Sequence, residues 1–358
     1  MSEEGPHTSS APPPGLAFGS RSHLVSWAFV LGLVALAGIF AMSDMRAMWE
    51  AATDTDVRLL PVPFVCGLLS FLAMALSYQG IADAAGAHVP FWEMLKITFV
   101  ANTANYLVTT GGLSGFAVRM YFFTRLRISS GTAVIISLVQ TLVTNFVLLL
   151  FVVTGFVYLL RTHELHGFAL GTTAALLTFF ILATIVAVFL LIHRELRRRT
   201  LFFLAEVAHW LLHRFLPHRK LGRVRIWRFQ RNLNRGIEFL LARKRRMILP
   251  TLWIVIDWFV TLFILYSAFV VVRYPIPMSF VIVGFAVGVV LSLVSFVPGG
   301  LGIMEGSMAA IFASLSVPFE TAVVAVLIFR LAYYLLPLVI SLFFFRRMLL
   351  QGTRALPR

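Results

Sequence analysis

VPGGLGIMEGSMAAIFASLSVPFETAVVAVLIFRLAYYLLP, from Val297 to Pro337, decides the fold. It opens on Pro298-Gly299-Gly300, and proline and paired glycines end or kink helices. A short apolar helix follows, then a polar link, then an unbroken apolar run over 320–345. That run exceeds the ~20 residues a helix needs to cross a hydrocarbon core of about 30 Å. Only helices and closed barrels satisfy their backbone in lipid, and a continuous apolar run lacks the alternation of a barrel strand.

Working outward, further apolar spans cover 24–42, 59–78, 131–159, 167–193 and 247–272. Two more stretches are interrupted: 94–123 at Thr109-Thr110-Gly111-Gly112, and 278–317 at Pro298-Gly299-Gly300. The chain of 358 residues is 59% hydrophobic and only 13% charged. A soluble domain is nearer 45–50% apolar and about 25% charged. The fold class expected is therefore an all-α polytopic membrane protein, with about six full spans and two broken or re-entrant helical hairpins. The polar, Pro/Ser-rich segment 1–23 has no apolar core of a signal peptide and reads as a disordered cytoplasmic tail. The membrane domain is expected over 24–347, followed by a short tail, 348–358. The lone Cys66 can form no intrachain disulfide.

Charge orients the chain. Between Arg194 and Arg246 there are sixteen Lys and Arg against three acidic residues, nearly all of the formal +15. The positive-inside rule assigns this loop to the cytoplasm, without need of a nucleic-acid partner. Within it, Leu201–Leu216 reads as an interfacial helix, with Glu206, His209 and His213 on one face. His209 and His213 have helical i, i+4 spacing but lack the HExxH glutamate, so no metal is expected. The acidic loop 43–58 falls outside, and both termini inside the cell membrane.

The two broken stretches resemble each other. TTGGLSGFAVRMYFF then TRLRISSGTAVIISL parallels VPGGLGIMEGSMAAIF then ASLSVPFETAVVAVL. Gly111-Gly112-Leu113 matches Gly299-Gly300-Leu301, and Thr132-Ala133-Val134 matches Thr321-Ala322-Val323 with one residue inserted. Arg125 and Arg127 precede the first copy's span, whereas Arg346-Arg347 follow the second's, so the copies are inverted across the membrane. Inverted repeats with broken helices recur in transporters.

Charges at membrane depth are costly and face a cavity or a partner. Arg119 follows the first break and Glu305 the second; Arg330 and Asp257 lie mid-span. Arg119 aligns near Glu305 by the repeat. Glu305 and Arg330 form either a structural ion pair or part of a site in which arginines receive an anionic group while Glu305 and Asp257 tune their charge. Asn102, Asn105, Thr109, Thr110 and Ser114 cluster at the first break, where they either cap helices or help bind anions. Gln140 and Asn145 suit helix packing. There is no GxSxG, Walker loop, CxxC or metal-spaced histidine set, so neither an enzyme nor a cofactor is expected.

Val297–Pro337 resembles the C-terminal signature of the lysylphosphatidylglycerol synthetase transmembrane, or flippase-like, family. Pro298, Gly300, Gly302 and Glu305 occupy its PxGxGxxE, and Arg330, Tyr334 and Pro337 its later positions. Gly111, Gly112, Gly115 and Arg119 are similar to the family's earlier Gly-Gly-x-x-Gly-x-x-x-Arg element. Gln140 and Thr141 stand where the family often has Glu-Arg, and Thr110 where a proline commonly precedes the glycines. The resemblance implies a lipid-translocating or lipid-binding unit without the family's aminoacyl-transfer domain. It implies membrane lipids as partners and leaves a lipid-modifying partner enzyme and self-association open. A DedA-like transporter shares the re-entrant plan, but the Pro298–Glu305 motif favours the first family. The headgroup cavity is expected to be polar and to contain Arg119, Glu305 and Arg330, with Asp257 and Asn105 contributing.

Overall fold

The computed structural model describes residues 43–107, 113–162, 244–295 and 297–354, with scattered residues over 30–41 and 178–200. The tail 1–23, Gly111-Gly112, most of the span 167–193, the interfacial helix 201–216 and almost all of the basic loop lie outside the described residues.

Among the described residues, ten bounded α-helices run in order: α1 Met45–Thr53, α2 Pro61–Ala84, α3 Phe91–Leu107, α4 Leu113–Arg125, α5 Ser130–Thr162, α6 Ile248–Val271, α7 Met278–Ser295, α8 Ile303–Ser314, α9 Phe319–Arg330 and α10 Leu336–Arg354. A π-helical turn, Leu331–Leu335, joins the last two. Among the described residues there are no strands, and four helices are long and apolar enough to cross a membrane: Pro61–Ala84, Ser130–Gly155, Arg245–Val271 and Phe319–Arg346. The chain is an all-α polytopic membrane protein.

The fold is two copies of one plan. Helices α2 and α6 are each 24 residues long. Each is followed by a six-residue link ending in Pro90 or Pro277, then by α3 or α7, a break, the short α4 or α8, a four-residue link, and a long helix beginning at Ser130 or Phe319. The links share their backbone. Gly86 and Arg273 both have positive φ, as do Arg127 and Ser316. In all four cases the next N–H reaches back five residues: Ala87 to Ala82, Tyr274 to Phe269, Ile128 to Phe123 and Val317 to Phe312. This is the left-handed helix terminus that satisfies the last orphan carbonyls.

The copies run antiparallel. Asp56 N–H donates to Val271 C=O at 2.8 Å, Ser70 meets Asp257, and Gly80 lies against Pro250, so α2 descends as α6 rises. The outer packing is exchanged. Helix α3 of the first copy meets α10 through Phe99–Phe344 and the π-turn through Tyr106–Tyr334, while α7 of the second meets α5 through Phe280–Tyr158 and Ala286–Gly155. Lipid supplies no hydrophobic drive between helices, so close packing of small residues does the holding. A Cβ on Gly67 would lie 2.5 Å from the Ala332 carbonyl oxygen. Phe312 and Met308 fill the spaces over Gly284 and Gly288 in the α7–α8 hairpin.

The structural register shifts one expectation. Leu113 and Ile303 open the two short helices, so the second break is longer than a direct glycine-to-glycine match allows. Glu305 therefore corresponds to Gly115 in the first copy, and Arg119 falls opposite the apolar Met308 or Ala309. The copies do not present opposite charges at matching places. The Thr132–Val134 match to Thr321–Val323 does agree with the register, as both triplets start two residues into α5 and α9.

Charge differs between the ends of the molecule. Asp44, Glu50, Asp54, Asp56 and Glu320 gather at the end where Arg273 meets Asp54 at 3.4 Å and Tyr274 O–H reaches the Ser316 carbonyl at 3.4 Å. Arg125, Arg127 and Lys244–Arg246 flank the opposite end, where Met247 packs on Ala84 and Ile135.

Candidate functional site

The second break is built from glycine. Gly299, Gly300 and Gly302 all have φ between 61° and 77°, a region that costs other residues about 1–2 kcal/mol each. A side chain at Gly300 would also overlap Ser292. This turn presents the Gly299 carbonyl to Arg330, whose Nη2 donates to it at 2.7 Å. Nε of Arg330 donates to Glu305 Oε1 at 2.5 Å, and the guanidinium lies 4.1 Å over the Tyr334 ring. Nη1 has only the Met304 thioether, at 3.6 Å, a weak acceptor. Glu305 sits in the first turn of α8, where the helix dipole favours a negative charge. Its second oxygen, Oε2, is buried with no hydrogen-bond partner among the described residues.

Arg330 closes α9, and the π-turn begins at the next residue. Such bulges add a residue to a turn and re-aim side chains. Here Tyr334 covers Arg330, while Tyr333 stacks on Phe329 with ring centroids 5.6 Å apart and lies tilted against Phe71 at 6.2 Å.

Arg330, Glu305 and Gly299 form part of the wall of a cleft of about 470 Å³ between α3, the second break and the last span. Its other lining is almost wholly apolar. Leu107, Leu331 and Leu335 line it and are exposed on the membrane-facing surface. Tyr106, Tyr334 and Thr103 also line it, and the Thr103 hydroxyl is buried without a hydrogen-bond partner among the described residues. The second break approaches the end of α3 here: a Cβ on Gly299 would lie 3.3 Å from the carbonyl oxygen of Tyr106, one residue before that helix ends.

Of the residues expected to share one polar cavity, Glu305 and Arg330 come together. Arg119, Asp257 and Asn105 are not among the lining residues, and the cleft is apolar except at its arginine end. Arg119 is buried from α4 against Tyr78. Its Nη1 donates to the Tyr78 hydroxyl and its Nη2 to Asn102 Oδ1 at 3.5 Å, while Nε has no hydrogen-bond partner among the described residues. No acidic side chain pairs with it among the described residues. Asn105 Oδ1 accepts from the Gly115 N–H at 2.6 Å and the Ser114 hydroxyl at 3.2 Å, capping α4 across the break. Asp257 accepts from Ser70 at 2.5 Å. Gln140 does serve packing, accepting from Ser77 at 2.8 Å.

The sequence reading missed Tyr106, Thr103 and the Gly299 carbonyl. Tyr334 was visible, one helical turn beyond Arg330, but its role under the guanidinium was not. Tyr106 precedes the first break by two residues and carries no charge, so only the packing of α3 on the last span reveals it.

An antiparallel pair of helical hairpins, with an apolar cleft ending on a buried Arg–Glu pair, defines an integral membrane protein. The family model for the lysylphosphatidylglycerol synthase TM region matches residues 24–341, and the chain belongs to that family. Similar curated proteins are phosphatidylglycerol lysyltransferases. That of Staphylococcus haemolyticus (strain JCSC1435) is 36% identical over 86 residues, and that of Staphylococcus aureus (strain MRSA252) 34% over 88. The Staphylococcus xylosus protein is 32% identical over 87. Each match covers 24% of this chain and 10% of the relative's length.

Proposed function

We propose that this chain binds a phospholipid in the α3–break–α9 cleft and moves it between leaflets. The observation that carries the reading is the cleft's polarity gradient: exposed leucines at one side and a single incompletely used ion pair at depth. An acyl chain fits the leucine wall. A guanidinium is shaped to grip phosphate, and Arg330 Nη1, held only by a thioether, is the N–H best able to turn to it. The unpartnered Glu305 Oε2 is an acceptor for a headgroup hydroxyl or ammonium. Phosphatidylglycerol and its aminoacylated form both combine a phosphate with such a donor, and the relatives' printed name, phosphatidylglycerol lysyltransferase, supports that lipid class.

The inverted repeat supports movement as well as binding. Two halves of equal plan and opposite direction can exchange conformations and open one cleft to either side. The glycine turn and the π-turn are the segments able to absorb such a change.

The test uses the full chain in vesicles of phosphatidylcholine and phosphatidylglycerol carrying a trace of headgroup-intact, tail-labelled fluorescent phosphatidylglycerol. External reductant then reports the fraction of label in the outer leaflet. Faster-than-vesicle exchange supports transport. Binding without exchange supports a second reading, a lipid-holding accessory subunit of an envelope-lipid enzyme.

A further inference from the structure

Asp257 takes no part in the cleft, yet it occupies a singular position. It is buried mid-span in α6, and its side chain accepts a hydrogen bond from Ser70 at 2.5 Å. The two residues are 187 apart, the same separation that relates Pro61 to Ile248 and Phe91 to Met278 at the starts of equivalent helices. Ser70 and Asp257 are thus the same position in the two copies. Residues related by a two-fold axis touch only where they lie on it, so this hydrogen bond marks the pseudo-axis where the antiparallel α2 and α6 cross.

A carboxylate here has no salt-bridge partner among the described residues. The buried Arg119 of α4 is bound to Tyr78 and Asn102 instead. The other titratable groups within its field are Tyr78 of α2, Tyr106 of α3 and Tyr333 of the π-turn. Tyr106 lines the lipid cleft, its ring is 6.5 Å from that of Tyr333, and both feel Asp257. Tyr106 and Tyr333 thus stand next to each other between the cleft and the α2–α6 crossing.

We propose that Asp257 is a proton-binding site that couples lipid movement to a transmembrane proton gradient. The inference rests on the transport reading above. The step is simple: an aqueous proton adds to the carboxylate when the site opens to one side, giving the neutral acid, and leaves as the same proton to the other side. An anion with one hydroxyl donor and a neutral acid differ strongly in their cost at membrane depth. On the axis that difference acts on both halves at once, so it biases their relative arrangement rather than either half alone.

The test is the vesicle assay above with an imposed pH gradient, the membrane potential clamped by potassium and valinomycin, and an internal pH dye. Wild-type protein should flip labelled phosphatidylglycerol severalfold faster with one gradient polarity than with none, with proton movement accompanying lipid. Asp257→Asn, a near-isosteric neutral side chain, should lose that stimulation while still exchanging lipid. Ser70→Ala, a milder change that keeps the acid, should displace the pH profile. Wild-type flipping that ignores the gradient, or full stimulation in Asp257→Asn, overturns the coupling and leaves transport standing. Absence of any flipping by wild type overturns the transport reading and the coupling with it. If Asp257→Asn fails to accumulate, an unshifted pH profile in Ser70→Ala overturns the proposal.

Discussion

Arg330 and Glu305, 25 residues apart in the chain, are joined at 2.5 Å inside the protein, and the same guanidinium also holds the Gly299 carbonyl. One side chain at the end of α9 thereby ties the last span to both the break and the short helix after it. Removing either partner outright would strand a buried charge, at about 3–5 kcal/mol. Conservative changes are the informative ones.

Arg330→Lys keeps the charge but not the planar fork that engages Glu305 and Gly299 together. Flipping or binding of labelled phosphatidylglycerol should fall about tenfold or more, equivalent to ~1.4 kcal/mol, with membrane insertion and yield near normal. If the variant fails to accumulate, the pair is structural. If it flips at the wild-type rate, Arg330 has no headgroup role.

The tightness of the first hairpin makes a stability prediction. A Cβ on Gly115 would collide with the Ala101 carbonyl and with Asn105, the residue that caps α4. On Gly155 it would make only ordinary contacts of 3.4–3.6 Å with α7. Gly115→Ala should cost about 1–3 kcal/mol and lower the melting temperature in detergent, while Gly155→Ala should be tolerated. Equal melting points for both would refute the hairpin packing.

Ser316 and Arg127 hold equivalent left-handed positions with φ of 67° and 61°. A β-branched residue is a poor occupant of that region. Ser316→Val and Arg127→Val should each destabilise by roughly 1–2 kcal/mol, whereas the glycine variants should be neutral or slightly stabilising. Thermal melts of the four variants measure this, and a tolerated valine at either site would mean its link is not the helix terminus described.

Much of this was legible in the sequence, for reasons the residues make clear. A charge at membrane depth is rare enough to be noticed, so Arg119, Asp257, Glu305 and Arg330 stood out, and all four are buried. Pro298 and three glycines in five residues marked the break. The full extent of the repeat was hidden. PVPFVCGLLSFLAMALSYQGIADA and ILPTLWIVIDWFVTLFILYSAFVV are equivalent helices with almost no shared residues, because many apolar side chains satisfy the same lipid-exposed or packed position. What the two helices share is length, link geometry and termini, and two of the left-handed termini, at Arg127 and Arg273, sit on residues that give no sign of it. The cleft was hidden for another reason: it depends on α3 of one copy meeting the π-turn of the other.

The last prediction concerns orientation. The end of the molecule carrying α1 gathers acidic residues, with Asp44 capping α1 through the N–H groups of Arg46 and Ala47. The opposite end is flanked by Arg125, Arg127 and Lys244–Arg246, and the basic segment between Arg194 and Arg246 continues that bias. Cytoplasmic loops carry the excess of Lys and Arg. A reporter active only outside the cell membrane should therefore work when fused after Thr53 and fail near Leu221, and a cytoplasmic reporter should show the reverse. Because α2 and α6 are antiparallel and start on opposite faces, the pair of fusions tests more than one loop. Activity outside at Leu221 would invert the whole molecule, placing Arg125 and Arg127 outside and reversing the leaflet toward which each hairpin points. It would leave the internal symmetry intact but overturn the charge argument used to orient it.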